Sequence, residues 1–379
     1  MKSEKFNRFA VICTAFVLFV FGQGFGAESA RVKNVILCIG DGMGPNQILL
    51  AKSYKADGEL CFEKLPVTGS ITTYSANRSV TDSAAAATAL ATGFKTKNGM
   101  VGLTPDKEKC QTILEAAKAN GMRTGLVVTS SITDATPACF ACHVKSRKMQ
   151  TEIAEQLISS KVDVLLGGGE KFFLPHGIWG SERKDEDDLI AKAKADGYQY
   201  VRNGDELAAA DGERLLGLFA SNGLKTKELE PSLPEMTSKA IEVLSDSNSG
   251  FFLLVEGSQI DWACHNNNTD EAIKQTLLFD QAVKKVIDFA AQDGQTLVIV
   301  TADHETGGLK IKGGQDGKKL KAKWSTRGHS GIPVRLFAFG PGAEDFGGVY
   351  DNTLVPKKIA KRLNLELGEN YIQALAKSK

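Results

Sequence analysis

The sequence predicts an α/β three-layer sandwich, with a mainly parallel central sheet and helices on both faces. Three observations carry this. Short, almost continuous apolar runs recur along the chain, as expected of strands buried on both faces. Segments with helical character separate them, and such alternation winds a parallel sheet. The runs also end, one after another, in acidic, hydroxyl or histidine residues, and open parallel sheets bind ligands at the carboxyl ends of their strands.

The chain opens with Lys2, Lys5 and Arg8 before an apolar run over 9–21, followed by small residues at Gly24 and Gly26. This reads as a secretory signal peptide over 1–26, cut after Gly26 or Ala27, ahead of a single domain over 27–379. The run is short for a membrane span, so no stable anchor is expected and the mature protein is periplasmic or secreted. The 379 residues are 42% hydrophobic and 24% charged, ample for a large core. Removing the leader takes away Lys2, Glu4, Lys5 and Arg8 and moves the formal charge from +1 to −1. Such a balance does not suggest nucleic acid as a specific partner. Of seven cysteines, Cys13 lies in the leader. An exported protein can oxidise some of the others. Cys38 belongs to an apolar strand, and Cys139-x-x-Cys142 lacks the second pair of a zinc ribbon.

The first buried strand covers 33–40 and ends in the turn at Asp41; a helix follows to about residue 56. Residues 67–74 alternate as a strand. The next stretch places Asp82 and Ser83 directly before a run of alanines. Alanine favours helix, and Ser or Asp favours its start, so Ser83 is placed where free N–H groups and the dipole attract an anion. A helix over 111–120 leads to a strand over 124–129, then to a polar loop holding Asp134 and Thr136, with Pro137 near the next helix start. Residues 162–166 form a short strand. The charge run over 182–188 reads as a solvated helix face, flanked later by short strands near 198–201 and 215–219. A buried strand over 251–255 ends at Glu256, and Asp261 and His265 follow. A long amphipathic helix spans 269–291, and a strand over 297–301 ends at Asp303 and His304. The Gly- and Lys-rich stretch 307–328 is a loop or hairpin before His329. A strand over 334–339 and a helix over 352–363 complete the chain.

The ligand-type residues therefore gather at one sheet edge. Asp261 and His265 are spaced i, i+4 and share a helix face. Imidazole and carboxylate without thiolate suit catalytic zinc, and the oxygen-only set Asp41, Thr136 and Glu256 suits magnesium. Cobalt or manganese can use the same ligand types.

The segments Gly40-Asp41-Gly42-Met43-Gly44, Thr81-Asp82-Ser83-Ala84-Ala85, Asp134-Ala135-Thr136-Pro137, His143-Val144-x-Ser146-Arg147, Glu256-Gly257-x-x-Ile260-Asp261-x-x-x-His265, Ala302-Asp303-His304-Glu305-Thr306-Gly307-Gly308 and Gly328-His329-Ser330-Gly331 resemble, in order, those of the alkaline phosphatases, exported metal-dependent phosphomonoesterases. The resemblance implies two Zn2+ and one Mg2+ per chain. One zinc would be held by Asp261, His265 and His329, and the other by Asp41, Asp303 and His304 with Ser83. Magnesium would lie among Asp41, Thr136 and Glu256, with Asp134 holding its water or ligating directly. Ser83 would attack small phosphate monoesters and become a phosphoserine, and Arg147 would clamp two phosphate oxygens. Asp82 is expected to cap the helix or orient Arg147, and His143 to be structural.

Two features depart from the family pattern. Trp262 stands where enterobacterial members carry a Lys that reaches the phosphate through water, which implies weaker phosphate retention; alternatively, Trp262 simply packs beside the metal site. The segment between His304 and His329 is short where many relatives carry a crown or interface insertion, so the homodimer common in the family is not implied. Among rivals, sulfatases need a C/S-x-P-x-R motif that is absent around Ser83, and diesterases commonly use Thr and lack the Arg147 equivalent and the magnesium triad. A metal- or phosphate-binding protein without turnover would have no need of Ser83.

Overall fold

The computed structural model describes residues 31–55, 58–225, 231–313 and 320–368. The expected signal peptide over 1–26 lies outside them. Among the described residues no helix is long and apolar enough to cross a membrane.

A ten-stranded sheet runs in the order Gly348–Asp351, Val67–Thr72, Val334–Phe339, Thr296–Thr301, Asn34–Gly40, Phe251–Gly257, Arg123–Ser131, Val164–Gly168, Leu215–Leu218 and Gln199–Val201. Val334–Phe339 opposes both neighbours, and the other strands share one direction. The central strands are buried along their whole length, as their unbroken apolar runs require.

Two groups of helices cover the sheet. Leu233–Ser245 and Thr269–Asp293 pack together in one group; Ser83–Thr92, Ile113–Ala119, Ala135–Ala141 and Leu354–Leu363 form the other. Two adjacent phenylalanines show both faces filled. Consecutive strand residues point to opposite sides. Phe252 stacks on Phe140 at 6.0 Å, and Phe251 meets Phe289 at 5.9 Å.

The stretch 182–188 is not the solvated helix face that its charge pattern suggests. It is irregular, and the Arg183 side chain is fully buried, held by Asp185 and by Glu155 of the helix Gln150–Ser160. Anchoring one guanidinium in the interior overrides the helical periodicity. The first helix is also shorter than expected, Pro45–Lys52. The six described cysteines are unpaired. Cys139 and Cys142 donate to different carbonyls, those of Ala84 and Ile153, which gives no support to a redox pair.

Candidate active site

Three neighbouring strands deliver the site's carboxylates side by side. Ile39 is in register with both Glu256 and Thr301, so Glu256, near the end of its strand, lies level with the strand residues that lead two positions on to Asp41 and Asp303. Val128 is level with Glu256, and its strand leads to Asp134 and Thr136.

Asp41, Asp303 and His304 are buried, with potential ligand atoms all within 4.8 Å of one another. His304 Nε2 lies 3.1 Å from Asp303 Oδ2, 3.5 Å from Asp41 Oδ1 and 3.2 Å from Ser83 Oγ. Asp261, His265 and His329 form a second group within the same limit. Asp261 is 3.2 Å from His265 Nε2 and 3.7 Å from His329 Nε2. His265 Nδ1 donates to the Arg327 carbonyl, and His329 Nδ1 to that of Thr81 at 2.9 Å. Both Nε2 atoms are thereby turned inward, 3.2 Å apart. Two lone pairs cannot bond each other, so a positive species belongs between them. The Asp261 hydrogen bond pushes His265 up to about 8, in keeping with positive charge at this point. Backbone acceptors fixing Nδ1 in this way are the usual support of metal-binding imidazoles.

Asp41 Oδ1, Thr136 Oγ1, Glu256 Oε2 and Asp303 Oδ2 are buried without a hydrogen-bond partner among the described residues. Buried orphaned acceptors are costly, and a set of them is the donor chemistry of a hard cation. Burial, followed by the Asp134 charge, pushes Glu256 up to about 8. Burial and then the Asp261 charge bring Asp303 to about 6, and Asp41 rises well above the carboxylate range from burial and its acidic neighbours. At Asp261 burial acts in the same direction but is outweighed by the three histidines, leaving it at about 2. His304 is held well below its ordinary value, first by burial and then by His329, which keeps its nitrogen available. The residues present thus fit two nitrogen–oxygen sites and one oxygen site.

The other side of the site is built around the helix Ser83–Thr92. Asp82 caps this helix and also reaches Arg147. Its Oδ1 accepts from Ala85 N at 3.0 Å, and its Oδ2 lies 3.5 Å from Arg147 Nη1. Arg147 Nη2 donates to Asp134 Oδ1 at 2.9 Å. Burial works against the Arg147 charge, but Asp134 and Asp82 more than hold it. Asp134 Oδ1 also accepts from Ala135 N at 2.7 Å, so it orients Arg147 and caps a helix at once.

Trp262 is half-exposed beside Asp261, and its ring packs on Gly223, where a Cβ would come within 2.3 Å of it. His143 lies beyond the helix Ala135–Ala141 rather than on it, and its ring bonds the Gly102 carbonyl and Glu115 at 2.7 and 2.8 Å. Thr306 is a site residue that sequence reasoning gave no role. Its Oγ1 donates to Asp261 Oδ1 at 2.5 Å and lies 3.2 Å from His304 Nδ1. Its place two residues after His304 was the available signal.

Comparison with known proteins identifies the family. The family model described as alkaline phosphatase matches residues 32–321. The chain is 36% identical to alkaline phosphatase 3 of Bacillus subtilis, over 90% of this chain and 91% of that one. It is equally 36% identical to the Escherichia coli K12 alkaline phosphatase, covering 85% and 84%. The alkaline phosphatase of the Antarctic bacterium TAB5 superposes with a TM-score of 0.81 at 38% identity, covering 88% and 99% of the two chains. A mutant of that enzyme has been solved with magnesium bound. With sequence, fold and metal-type clusters in agreement, this chain belongs to the alkaline phosphatase family, metal-dependent hydrolases of phosphate monoesters.

Proposed function

We propose that Ser83 is the nucleophile and that hydrolysis proceeds through a phosphoserine. The observation that carries this is the position of Ser83 Oγ, at a helix start and 3.2 Å from His304 Nε2, with Arg147 held by Asp82 and Asp134. Asp261, His265 and His329 would hold one zinc, Asp41, Asp303 and His304 the other, and Asp41, Thr136 and Glu256 the magnesium. When bound, such ions supply charge neutralisation and lower the pKa of coordinated oxygens. The chain does the remainder. Arg147 and the N–H groups heading the helix bind and orient the phosphoryl oxygens. Ser83 Oγ attacks phosphorus in line, the ester oxygen departs and takes a proton to become the alcohol, and water then cleaves the phosphoserine to inorganic phosphate. Two inversions give retention at phosphorus. A signal peptide over 1–26 and one catalytic domain over 27–379 complete the reading, with a periplasmic or secreted location.

The test combines metal analysis with Ser83→Ala. Two zinc and one magnesium per chain are expected, with strong preference for monoesters over diesters. The variant should keep its metals and lose turnover of 4-nitrophenyl phosphate by about a thousandfold or more. A Ser83→Ala protein of near-normal activity would end the phosphoserine route.

A further inference from the structure

The segment joining Thr306 to His329 carries a concentration of charge that the overall balance of the chain conceals. Lys310–Lys312 pairs antiparallel with Lys321–Lys323, placing Lys310 opposite Lys323, Ile311 opposite Ala322 and Lys312 opposite Lys321. Strand alternation puts the four lysines on one face and Ile311 and Ala322 on the other. The apolar face is anchored: Ile311, Ala322 and Trp324 pack against Leu50, Ile273 and Leu309, and Trp324 Nε1 donates to Thr269 Oγ1 at 3.0 Å. The lysines are exposed, and among the described residues none of the four forms an ion pair. Like charges directly opposite weaken a hairpin. Nothing in the packing requires these lysines, because the opposite face alone holds the hairpin down.

The location gives the charge a use. Glu305–Thr306 pairs with His329–Ser330, so both hairpin arms lead straight into site residues. Lys310 is four residues beyond Thr306, at most about 14 Å of chain. Exposed Arg327, whose carbonyl accepts from His265, extends the basic strip toward His329. Fixed positive charge beside a cleft raises the local concentration of anions and speeds their encounter.

We propose that this lysine face binds the trailing phosphates of polyanionic monoesters, substrates whose terminal phosphate monoester is followed by further phosphate groups. The proposal rests on the reading of the Ser83 site as the seat of hydrolysis. Bound phosphates would release counterions, so the preference must fall with salt.

Thymidine 5′-monophosphate and a 5′-phosphorylated oligothymidylate share the scissile group and differ in trailing charge. With the metal-loaded enzyme at low ionic strength, kcat/KM is expected to favour the oligomer about tenfold. The preference should vanish in roughly 0.5 M salt, where screening is nearly complete. It should also vanish when Lys310, Lys312, Lys321 and Lys323 are all replaced by Gln, while kcat for 4-nitrophenyl phosphate is unchanged. If that variant also loses the nitrophenyl activity, the cross-strand pairs Lys310/Lys323 and Lys312/Lys321 are replaced separately, each removing part of the preference. An unchanged oligomer-to-monomer ratio in the variants overturns the proposal. So does an unchanged ratio accompanied by lost binding to phosphatidylglycerol vesicles, which would assign the face to lipid. Failure of the wild type to hydrolyse 4-nitrophenyl phosphate would instead defeat the Ser83 reading. Anisotropy of the labelled oligomer, with weaker binding expected in the variants and equal binding overturning the proposal, then decides the lysine face by itself.

Discussion

Thr306 links the two histidine-containing groups through one hydroxyl. It donates to Asp261 and sits against His304 Nδ1, leaving His304 Nε2 directed at Ser83. Thr306→Val keeps the shape and removes that link. Zinc affinity, measured against a competing chelator, and kcat/KM should both fall by about 10–100-fold, with Thr306→Ser restoring most of each. A Val variant with full zinc affinity would show the hydroxyl to be incidental. Trp262 supports a second residue-level prediction. Trp262→Lys exchanges a ring packed on Gly223 for a cation beside Asp261. Inorganic phosphate should inhibit this variant more strongly, and an unchanged inhibition constant would sink the idea. The carboxylates and imidazoles of the site were legible in the sequence because they recur at strand ends. Thr306 was not, since a threonine that orients a ligand has the same residue type as one that merely fills a strand. The carbonyls of Thr81 and Arg327 that fix two histidines leave no trace in residue type at all.

The helix Ser83–Thr92 shows what an element adds to its residues. All of its side chains are buried, and its alanines let it pack closely enough to hold Ser83 in place. Asp82 ties the helix start to Arg147, so the two functions can be separated. Asp82→Asn should preserve the cap and remove the carboxylate charge facing Arg147, whereas Asp82→Ala loses both. The Ala variant should be about 1 kcal/mol less stable than the Asn variant in denaturant titrations. Both should bind phosphate more weakly than the wild type. Equal stability of the two would remove the cap from the account. This helix start was readable because capping is a local rule. The stretch around Arg183 was not, because its conformation follows from a buried contact with a distant helix. The reversed direction of Val334–Phe339 was equally hidden: its apolar run would look the same in either orientation.

At the scale of the whole molecule, the sheet forces acidic groups together that would separate in a free chain. Glu256 belongs to one of three adjoining strands in fixed register, and Asp41 and Asp303 follow the other two, so removing metal cannot let them drift far apart. Protons must then replace the missing positive charge. Burial, with the Asp134 charge adding to it, raises Glu256 from an ordinary 4.5 to about 8 in the folded metal-free chain. A raised folded-state value means that the native chain binds more protons than the unfolded one between those limits. Its stabilising contribution is therefore full below about 4.5 and is lost as pH climbs through about 8. Asp303, raised to about 6, acts in the same direction over the lower part of that window. Bound cations take over the protons' role and displace them, increasingly so as pH rises. Chelator-stripped protein should accordingly lose several degrees of Tm between about pH 5 and about pH 8, while metal-loaded protein should not. The gap between loaded and stripped forms should be widest on the alkaline side, as thermal scans of both forms across pH would reveal. A stripped protein as stable at the alkaline end as at the acid end would mean that the sheet does not hold these carboxylates together without their metals.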